Sequence, residues 1–366
     1  MKKTILFYLL SMLITITLIG CGRTDDKNTD VLFPNLTLNN EFKGKIQLSE
    51  LFDDYSIIQL PTSDSTLIST RDIKIIKRKG YFYIKSINDI FIFDKSGNYQ
   101  STLSCTGNGP GEYAGINDFA IAERENNVEI WIADMKKIMR YKGKDLRYLG
   151  AIQTDFFVNQ VCYVNDSTIL CTTNENKYFR VIDMEGKQRG DFFDVDFPNT
   201  LQKQHGFKPM GNWVTYQFSH TDEAMAYNVE KRDFSIVKIL PLEDYFQTTQ
   251  IAHDYFDKYD MGFASKLREK YVGIASYKYL NNDISLVSNW QDNKMKITLG
   301  NVNEKAKTYI YYPASESVIE NNILKDADPM FLTTQVCCDS DDSFLFLDSY
   351  SEESNPRLLE VRTLKQ

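Results

Sequence analysis

The feature of this 366-residue chain that most limits its fold is a repeat of short β-type runs joined by tight turns. In the first unit, the runs 73–77, 81–84 and 90–93 lead into the turn 94–98, with sequence DKSGN. The turn glycine of this unit, Gly97, is followed by turn glycines 46 and then 43 residues further on. A period of about 40–50 residues with four strands per unit is typical of the blades of a β-propeller. The sequence therefore predicts an all-β propeller with four-stranded antiparallel blades.

The repeat also predicts how many blades there are and how the ring closes. Five units of this kind precede a last unit with only three β-type runs, 330–337, 344–347 and 358–364. The run 55–60 stands before the first unit and has no partner there. Because an open ring would leave two unpaired strand edges, we expect this N-terminal strand to complete the last blade. The result is six blades, with a partly helical insertion around 242–270, where apolar residues fall mostly at helical intervals.

The first twenty residues have the organisation of an export signal. Lys2 and Lys3 precede an apolar run, 5–19, which ends in Leu18-Ile19-Gly20-Cys21. This order resembles the bacterial lipobox, in which the signal is cut before a cysteine that is then acylated; the alternative is an ordinary signal peptide with an incidental cysteine. We expect a lipoprotein signal peptide at 1–20, lipidation of Cys21, a flexible polar tether at 21–40 and the propeller at 41–366. Acyl chains would then hold the protein on a membrane.

A second motif carries a family resemblance. Residues 107–113 read G-x-G-P-G-E-Y and follow the first-blade turn, and the segments 47–52 and 57–60 and the ending 355–359 accompany it. Together they resemble the six-bladed β-propeller lipoproteins of Bacteroidota. The resemblance implies a fold and a compartment but no agreed activity or catalytic residue set. Acidic residues after Cys21 resemble the surface-export signals of such lipoproteins, so we expect a lipid anchor in the outer membrane, at the cell surface rather than on the periplasmic face.

Composition excludes several classes of protein. Lys and Arg number 42 against 50 Asp and Glu, a net charge of −8. Such a chain lacks the positive field that nucleic acid would require, so no nucleic-acid partner is expected. The 42% of hydrophobic residues is too high for a disordered chain.

Polar residues in the loops between blades and between second and third strands are the candidate binding residues. In a propeller these loops share one face, so their carboxylates and amides would form a rim able to bind a polyhydroxyl ligand or a cation. The alternative is that turns favour Asp, Asn and Ser in any protein. The candidate rim consists of Asn88, Asp89, Asn108, Glu112, Tyr113, Asp134, Glu175, His220, Asp222, Asp292 and Glu352.

Cysteines and histidines give weaker signals. Cys162 and Cys171 would face each other and could form a disulfide if their hairpin turned at 166–167, but not if it turned at 165–166; otherwise both are small buried residues. The three histidines lack metal-site spacing, and we expect no metal and no cofactor.

These observations favour a binding or scaffold module over an enzyme. No G-x-S-x-G nucleophile motif is present. We expect a monomeric, lipid-anchored propeller whose rim engages a glycan, a peptide or a protein partner. The alternative is a polysaccharide hydrolase or lyase that uses rim carboxylates as acid and base, which would require two carboxyl groups about 5–10 Å apart in an enclosed pocket. A structural subunit of a surface complex would instead expose an apolar patch on the insertion.

Overall fold

A computed structural model provides the fold, and the chain divides into two compact units, Met1–Asp30 and Val31–Gln366. All residues described below belong to the second unit. The structure describes residues 31–32, 52–69, 73–125, 127–173, 175, 177–194, 206–217, 223–239, 274–280, 283–291, 294–301, 307–311, 338–348 and 355–364.

Three successive meanders form blades 1 to 3, each an antiparallel sheet whose strands lie in chain order. In a propeller the first strand of each blade lines the central axis and the last lies at the outside. The strands are β2 (Ile73–Arg78), β3 (Tyr81–Ser86), β4 (Asp89–Asp94) and β5 (Tyr99–Leu103) in blade 1; β6 (Asp118–Arg124), β7 (Asn127–Asp134), β8 (Lys137–Lys142) and β9 (Tyr148–Gln153) in blade 2; and β10 (Gln160–Asn165), β11 (Thr168–Thr172), β12 (Lys177–Ile182) and β13 (Gln188–Asp194) in blade 3.

Blades 4 and 5 repeat the arrangement, so that the predicted propeller of four-stranded antiparallel blades is confirmed. Their strands are β14 (Phe207–Met210), β15 (Trp213–Gln217), β16 (Glu223–Asn228) and β17 (Asp233–Lys238) in blade 4, and β18 (Ile274–Leu280), β19 (Asp283–Gln291), β20 (Lys294–Asn301) and β21 (Lys307–Tyr311) in blade 5.

The last unit differs from the sequence prediction. The described residues contain five four-stranded blades rather than six, and a further sheet has only three strands, in the order β1 (Phe52–Gln59), β24 (Arg357–Leu364) and β23 (Phe344–Asp348). The predicted strand 330–337 lies outside the described residues. A short strand nearby, β22 (Cys338–Ser340), pairs in parallel with β2.

The N-terminal strand joins the C-terminal one, as the unpaired run 55–60 predicts. Strand β1 is antiparallel to β24, with Tyr55 opposite Val361 and Ile58 opposite Leu358. The buried side chain of Asn355 fastens this junction, because its amide nitrogen donates to the carbonyl oxygens of Pro61 and Thr66 at 2.6 and 2.5 Å, and its oxygen accepts from the Ile68 amide at 2.8 Å. The first and last strands, β1 and β24, are therefore held together both by a strand ladder and by a buried side chain.

The turn glycines that reveal the repeat have a packing role. Gly97 and Gly186 both have positive φ, of 84° and 77°. A Cβ at Gly97 would lie 2.9 Å from the Gln59 carbonyl oxygen, and one at Gly186 would lie 2.0 Å from the Gln153 carbonyl oxygen. Each oxygen belongs to the outer strand of the neighbouring sheet. The glycine thus permits both the turn and close contact between adjacent sheets.

The apolar core lies in the seams, which are the interfaces between neighbouring blades. One cluster combines blades 1 and 2, and others combine blades 2 and 3 and blades 3 and 4. The largest side chains with less than 2% of their surface exposed include Trp131, Tyr141, Phe179 and Tyr216. The high aromatic content of the chain therefore serves packing between blades.

Several predictions fall on other parts of the chain. The signal peptide 1–20, Cys21 and the insertion around 242–270 lie outside the described residues. Within the predicted tether, however, Val31 forms a parallel bridge with Lys238, and the Leu32 amide donates to the Lys238 carbonyl oxygen at 2.8 Å. These two residues are attached to the outer strand of blade 4. No helix among the described residues is long and apolar enough to cross a bilayer.

Candidate functional site

Charged residues on the first strands of the blades converge on the central axis. Each lies within or beside a short strand that otherwise contributes apolar side chains to the seams. We name this set the axial cluster, and it consists of Lys74 and Arg78 on β2, Asp118 on β6, Lys208 on β14, Lys278 on β18 and Asp339 on β22.

Asp339 connects three parts of the ring. Its carboxylate accepts from the Arg78 guanidinium at 2.5 Å and from the Lys278 ammonium at 2.9 Å. Lys278 also donates to the Ser340 carbonyl oxygen. Burial alone would raise the pKa of Asp339, but the charges and hydrogen bonds of Lys278 and Arg78 outweigh it and hold that pKa well below its usual range. Asp339 is therefore ionised at any physiological pH.

A second ion pair joins blades 1 and 2 at the axis. The Lys74 ammonium donates to Asp118 Oδ1 at 2.7 Å and to the Phe119 carbonyl oxygen at 2.8 Å. Asp118 Oδ2 accepts from the Val161 amide of blade 3 at 3.1 Å. The Lys74 Nζ also lies 3.9 Å from the position a Cβ would take on Gly206, next to blade 4. The axis is therefore narrow enough for one lysine to approach the opposite blade.

Lys208 has the most perturbed basic group of the cluster. Its pKa falls from 10.5 to about 7, mainly because the group is buried and also because of the nearby charge of Lys278. The charge of Asp339 acts in the opposite direction. Its ammonium therefore gains or loses a proton near neutral pH, where small changes in its surroundings alter its charge.

The axial cluster has more cations than carboxylates. Four basic side chains accompany Asp118 and Asp339, and the exposed carboxylate of Asp341 acts on Arg78 from outside the cluster, in a protein whose net charge is −8. The side chains of Lys74, Arg78, Lys278 and Asp339 retain 15–27% of their surface, so they are partly accessible. Such an arrangement can attract and hold an anion. No group of His, Cys, Asp and Glu in the part of the chain described could hold a metal ion.

The predicted rim residues divide into those used by the fold and those left at the surface. Tyr113 is fully buried and donates its hydroxyl to the Asn88 carbonyl oxygen at 2.8 Å. Asp134 has 1% of its surface exposed, accepts from the Ala114 amide at 3.1 Å and pairs with Lys137. Tyr113 and Asp134 thus hold the loop between blades 1 and 2 in place.

Two other rim carboxylates have similar contacts. Glu112 Oε2 accepts from the Gly109 amide at 2.7 Å within the glycine-rich loop, and Glu175 accepts from the Phe157 amide at 3.4 Å and lies 3.5 Å from Arg180. Asn108 is exposed and Asp89 half-buried. His220, Asp222, Asp292 and Glu352 lie outside the described residues. A binding role for the rim stays a prediction.

The disulfide between Cys162 and Cys171 does not form, and both cysteines are buried free thiols. The hairpin does turn at 166–167, but a bulge at Val164 shifts the ladder, so that Cys162 lies opposite Leu170 and Cys171 opposite Val161. Neighbouring strand positions point to opposite faces, and the two thiols accordingly lie in different seams. Burial raises the pKa of Cys162 to about 12.

Comparison with known families gives the relationship of the chain. Residues 33–365 match the family described as a domain of unknown function, DUF4934. The chain belongs to this family. No curated protein matches the sequence.

Several solved structures are similar to this DUF4934 chain. A Bacteroides fragilis protein named as an exported protein is 17% identical, with a TM-score of 0.65, over 91% of this chain and 99% of the other. U3-55K is 8% identical, with a TM-score of 0.49, over 83% and 98% of the two chains. A protein of unknown function from Bacteroides caccae is 10% identical, with a TM-score of 0.42, over 65% and 86%. At 17% identity, the similarity to the Bacteroides fragilis protein concerns the fold alone.

The axial cluster of this DUF4934 chain was not among the residues predicted from sequence. A signal for it exists, because first strands that pack in seams should be apolar, yet several carry a charged residue. Lys74 interrupts IKIIKR, Lys208 interrupts FKPM and Lys278 interrupts IASYKYL. Comparing the first strands of successive units would have found it.

Proposed function

We propose that this protein is an exported, lipid-anchored propeller that binds an anionic group at its axial cluster. The ligand would be a carboxylate, sulfate or phosphate carried by an extracytoplasmic glycan, peptide or protein. The observation that supports this most is the surplus of basic side chains around the axis of an acidic protein. Because positive charge concentrates along the axis of an otherwise acidic protein, an anionic ligand would be attracted there and a cationic one repelled.

Export, anchoring and blade number are part of the same proposal. The lipobox-like run before Cys21 supports cleavage and acylation, and the exported Bacteroides fragilis protein of similar fold is compatible with it. We propose attachment to the outer membrane, at the cell surface. We also propose that the three-stranded sheet β23-β24-β1 is the sixth blade, since it pairs the first named strand with the last and packs against blade 1. Replacing Cys21 with Ala should release the protein from the membrane fraction.

A binding function fits the axial carboxylates better than acid–base catalysis does. Asp118 and Asp339 each accept a hydrogen bond from a cation at 2.9 Å or less. A carboxylate with a lowered pKa, as at Asp339, is a poor general acid because it holds no proton near neutral pH. The polysaccharide-cleaving alternative therefore has no support from these two residues.

The test is calorimetric titration of the full chain in detergent with sulfate at pH 6. We expect saturable binding, and Lys278→Met should weaken it about tenfold, the effect of losing one hydrogen bond to a charged group. Lys79→Met is the matched control, because Lys79 is exposed and its one ion-pair partner among the described residues is Glu123. No sulfate binding, or equal losses in both variants, would contradict the proposal. Thermal unfolding of each variant separates lost binding from lost folding.

A further inference from the structure

A cleft of about 350 Å³ opens on the seam between blades 3 and 4, away from the axial cluster. It is formed between the β12–β13 hairpin of blade 3 and the third-to-fourth-strand turn of blade 4. Among the residues lining it are Thr168, Asp183, Arg189, Phe192, Tyr227 and Arg232. Its volume is at the lower end of the range for small-molecule sites, which suits a single ring rather than an extended chain.

One wall of the cleft is aromatic. Gly190 lies under the Phe192 ring, since a Cβ on Gly190 would be 2.8 Å from Phe192 Cε2. Tyr227 lies beside it with 1% of its surface exposed, and its ring is 4.9 Å from that of Phe234. The wall is therefore a fixed flat surface, of the kind against which the apolar face of a sugar or aromatic ring packs.

The lining of the cleft also includes two guanidinium groups, one paired with a carboxylate and one not. Arg189 is hydrogen-bonded to Asp183 Oδ2 at 2.7 Å, and Asp183 also accepts from the Lys187 amide at 2.9 Å. Burial would raise the pKa of Asp183, but these donors outweigh it and lower that pKa, so the carboxylate stays ionised and balances Arg189. The guanidinium of Arg232 makes no hydrogen bond or ion pair with any residue that the structure describes, and its charge reaches the Tyr227 hydroxyl. Arg232 is therefore the cationic group of the cleft without an ion-pair partner among the described residues, and the carboxylate of the adjacent Asp233 acts on Tyr227 in the opposite direction.

Arg232 also has an unusual backbone for its residue type. Its φ is +58°, the left-handed region, whereas the left-handed residue of the corresponding turn is glycine in blades 1 and 3, at Gly97 and Gly186. A long charged side chain thus occupies a turn position where glycine would be less strained. The turn therefore places the Arg232 guanidinium in the lining of the cleft.

We propose that this cleft binds an acidic sugar residue, with the sugar ring against Phe192 and its carboxylate on Arg232. The Phe192 ring selects a ring, and the Arg232 guanidinium selects an anion. The site is independent of the axial cluster and does not require it to bind anything.

The experiment is titration of the full chain in detergent with D-glucuronate, with neutral D-glucose as the comparison ligand. Glucuronate should bind, and glucose should bind at least about tenfold more weakly, because it lacks the charge that Arg232 recognises. Arg232→Gln should reduce glucuronate affinity by about the same factor. Gly190→Ala should also reduce it without changing charge, since the added Cβ displaces the Phe192 ring.

Two control variants make the result decisive. Arg147→Gln removes an exposed arginine from the corresponding turn of blade 2 and should leave glucuronate affinity within about twofold. Lys278→Met, in the axial cluster, separates the two proposed sites: it should weaken glucuronate binding less than Arg232→Gln does. No binding of glucuronate, equal affinity for glucose, or an Arg232→Gln variant that binds like the wild type would each overturn the proposal. A loss in Lys278→Met equal to that in Arg232→Gln would assign the binding to the axis instead.

Discussion

The two faces of blade 3 are packed by different chemistry. On the side of blade 2, Glu129 accepts from Arg124 at 3.2 Å, from Arg140 at 2.9 and 3.1 Å and from the Trp131 indole at 2.9 Å. Arg124 in turn pairs with Asp166 of blade 3 at 2.6 Å. This seam is joined by a network of charges in which each of these polar groups has a partner.

On the side of blade 4 the seam is made of rings. Phe179 lies 4.8–5.9 Å from the rings of Tyr178, Phe207, Tyr216 and Phe234, mostly edge to face. The hydroxyls of Tyr178 and Tyr216 are 2.8 Å apart and bonded to each other. The ring cluster continues through Phe234 to Phe192 and Tyr227, which line the cleft.

The difference indicates what each kind of seam can do. In the seam between blades 2 and 3 the charge network adds to apolar packing, and it depends on every member, because removing one leaves the others buried and unpaired. Ring packing depends on shape, tolerates an open margin and does not respond to pH. Four measurements test this contrast, from the largest expected effect to the smallest.

Glu129→Ala should destabilise the protein by about 3–5 kcal/mol, the range for breaking a buried ion pair, because two arginines and the Trp131 indole lose their acceptor. The free energy of unfolding in urea measures it. Glu175→Ala is the control: Glu175 is more exposed and pairs with Arg180 at 3.5 Å, so its loss should cost about 1 kcal/mol or less. Similar losses in both variants would show that the network contributes no more than a surface pair.

Phe179→Leu should cost about 2–3 kcal/mol, because several ring contacts are lost while most apolar area remains. The same urea measurement applies, with Phe157→Leu as the control, since that ring is 43% exposed. The loss should be equal at pH 5 and pH 8. A loss that varies with pH would mean that the seam between blades 3 and 4 also depends on charge.

Acid should weaken the seam between blades 2 and 3. Burial would raise the pKa of Glu129, but hydrogen bonds from Arg140 and Trp131 and the charges of both arginines lower it below its ordinary 4.5. The unfolded chain therefore takes up this proton first as the pH falls. The contribution is complete above about pH 4.5 and is lost as the pH falls through the lower native pKa.

The free energy of unfolding between pH 3 and 7 tests this, compared with Glu129→Gln, which has no such proton. The difference between the two proteins should shrink as the pH falls. A constant difference would contradict the assigned pKa direction.

Thiol labelling gives the smallest effect. Cys171 lies in the seam between blades 2 and 3 and Cys162 in that between blades 3 and 4, both buried, whereas Cys105 is partly exposed. Iodoacetamide followed by peptide mass spectrometry should label Cys105 first, and the two buried thiols only as the protein opens. Glu129→Ala should accelerate Cys171 more than Cys162. Rapid labelling of Cys162 in the wild type would contradict its burial.

Local sequence signals predicted the meanders well. The DKSGN turn at 94–98 forms with Gly97 in the left-handed conformation, and the run 55–60 pairs with the last strand as expected. These features depend on residues close in sequence or on the need to pair an open edge. Strand register was harder to predict. The bulge at Val164 moves Cys162 away from Cys171, and nothing in the local sequence indicates that bulge.

Functional residues were harder to predict because they depend on convergence. The rim was deduced from loop position, yet Tyr113 and Asp134 turn inwards to hold a loop between blades. Lys74, Lys208 and Lys278 come together only after the ring forms, from strands up to about 200 residues apart.

The pH dependence of sulfate affinity tests the axial site most directly. Because the pKa of Lys208 is about 7, its charge is present at pH 6 and largely absent at pH 8.5. Calorimetric titration should therefore show affinity falling as the pH rises through 7, and Lys208→Met should bind weakly at both pH values with that dependence removed. Sulfate affinity that is the same at pH 6 and 8.5, or that keeps its pH dependence in Lys208→Met, would contradict an anion site at the axis of this propeller.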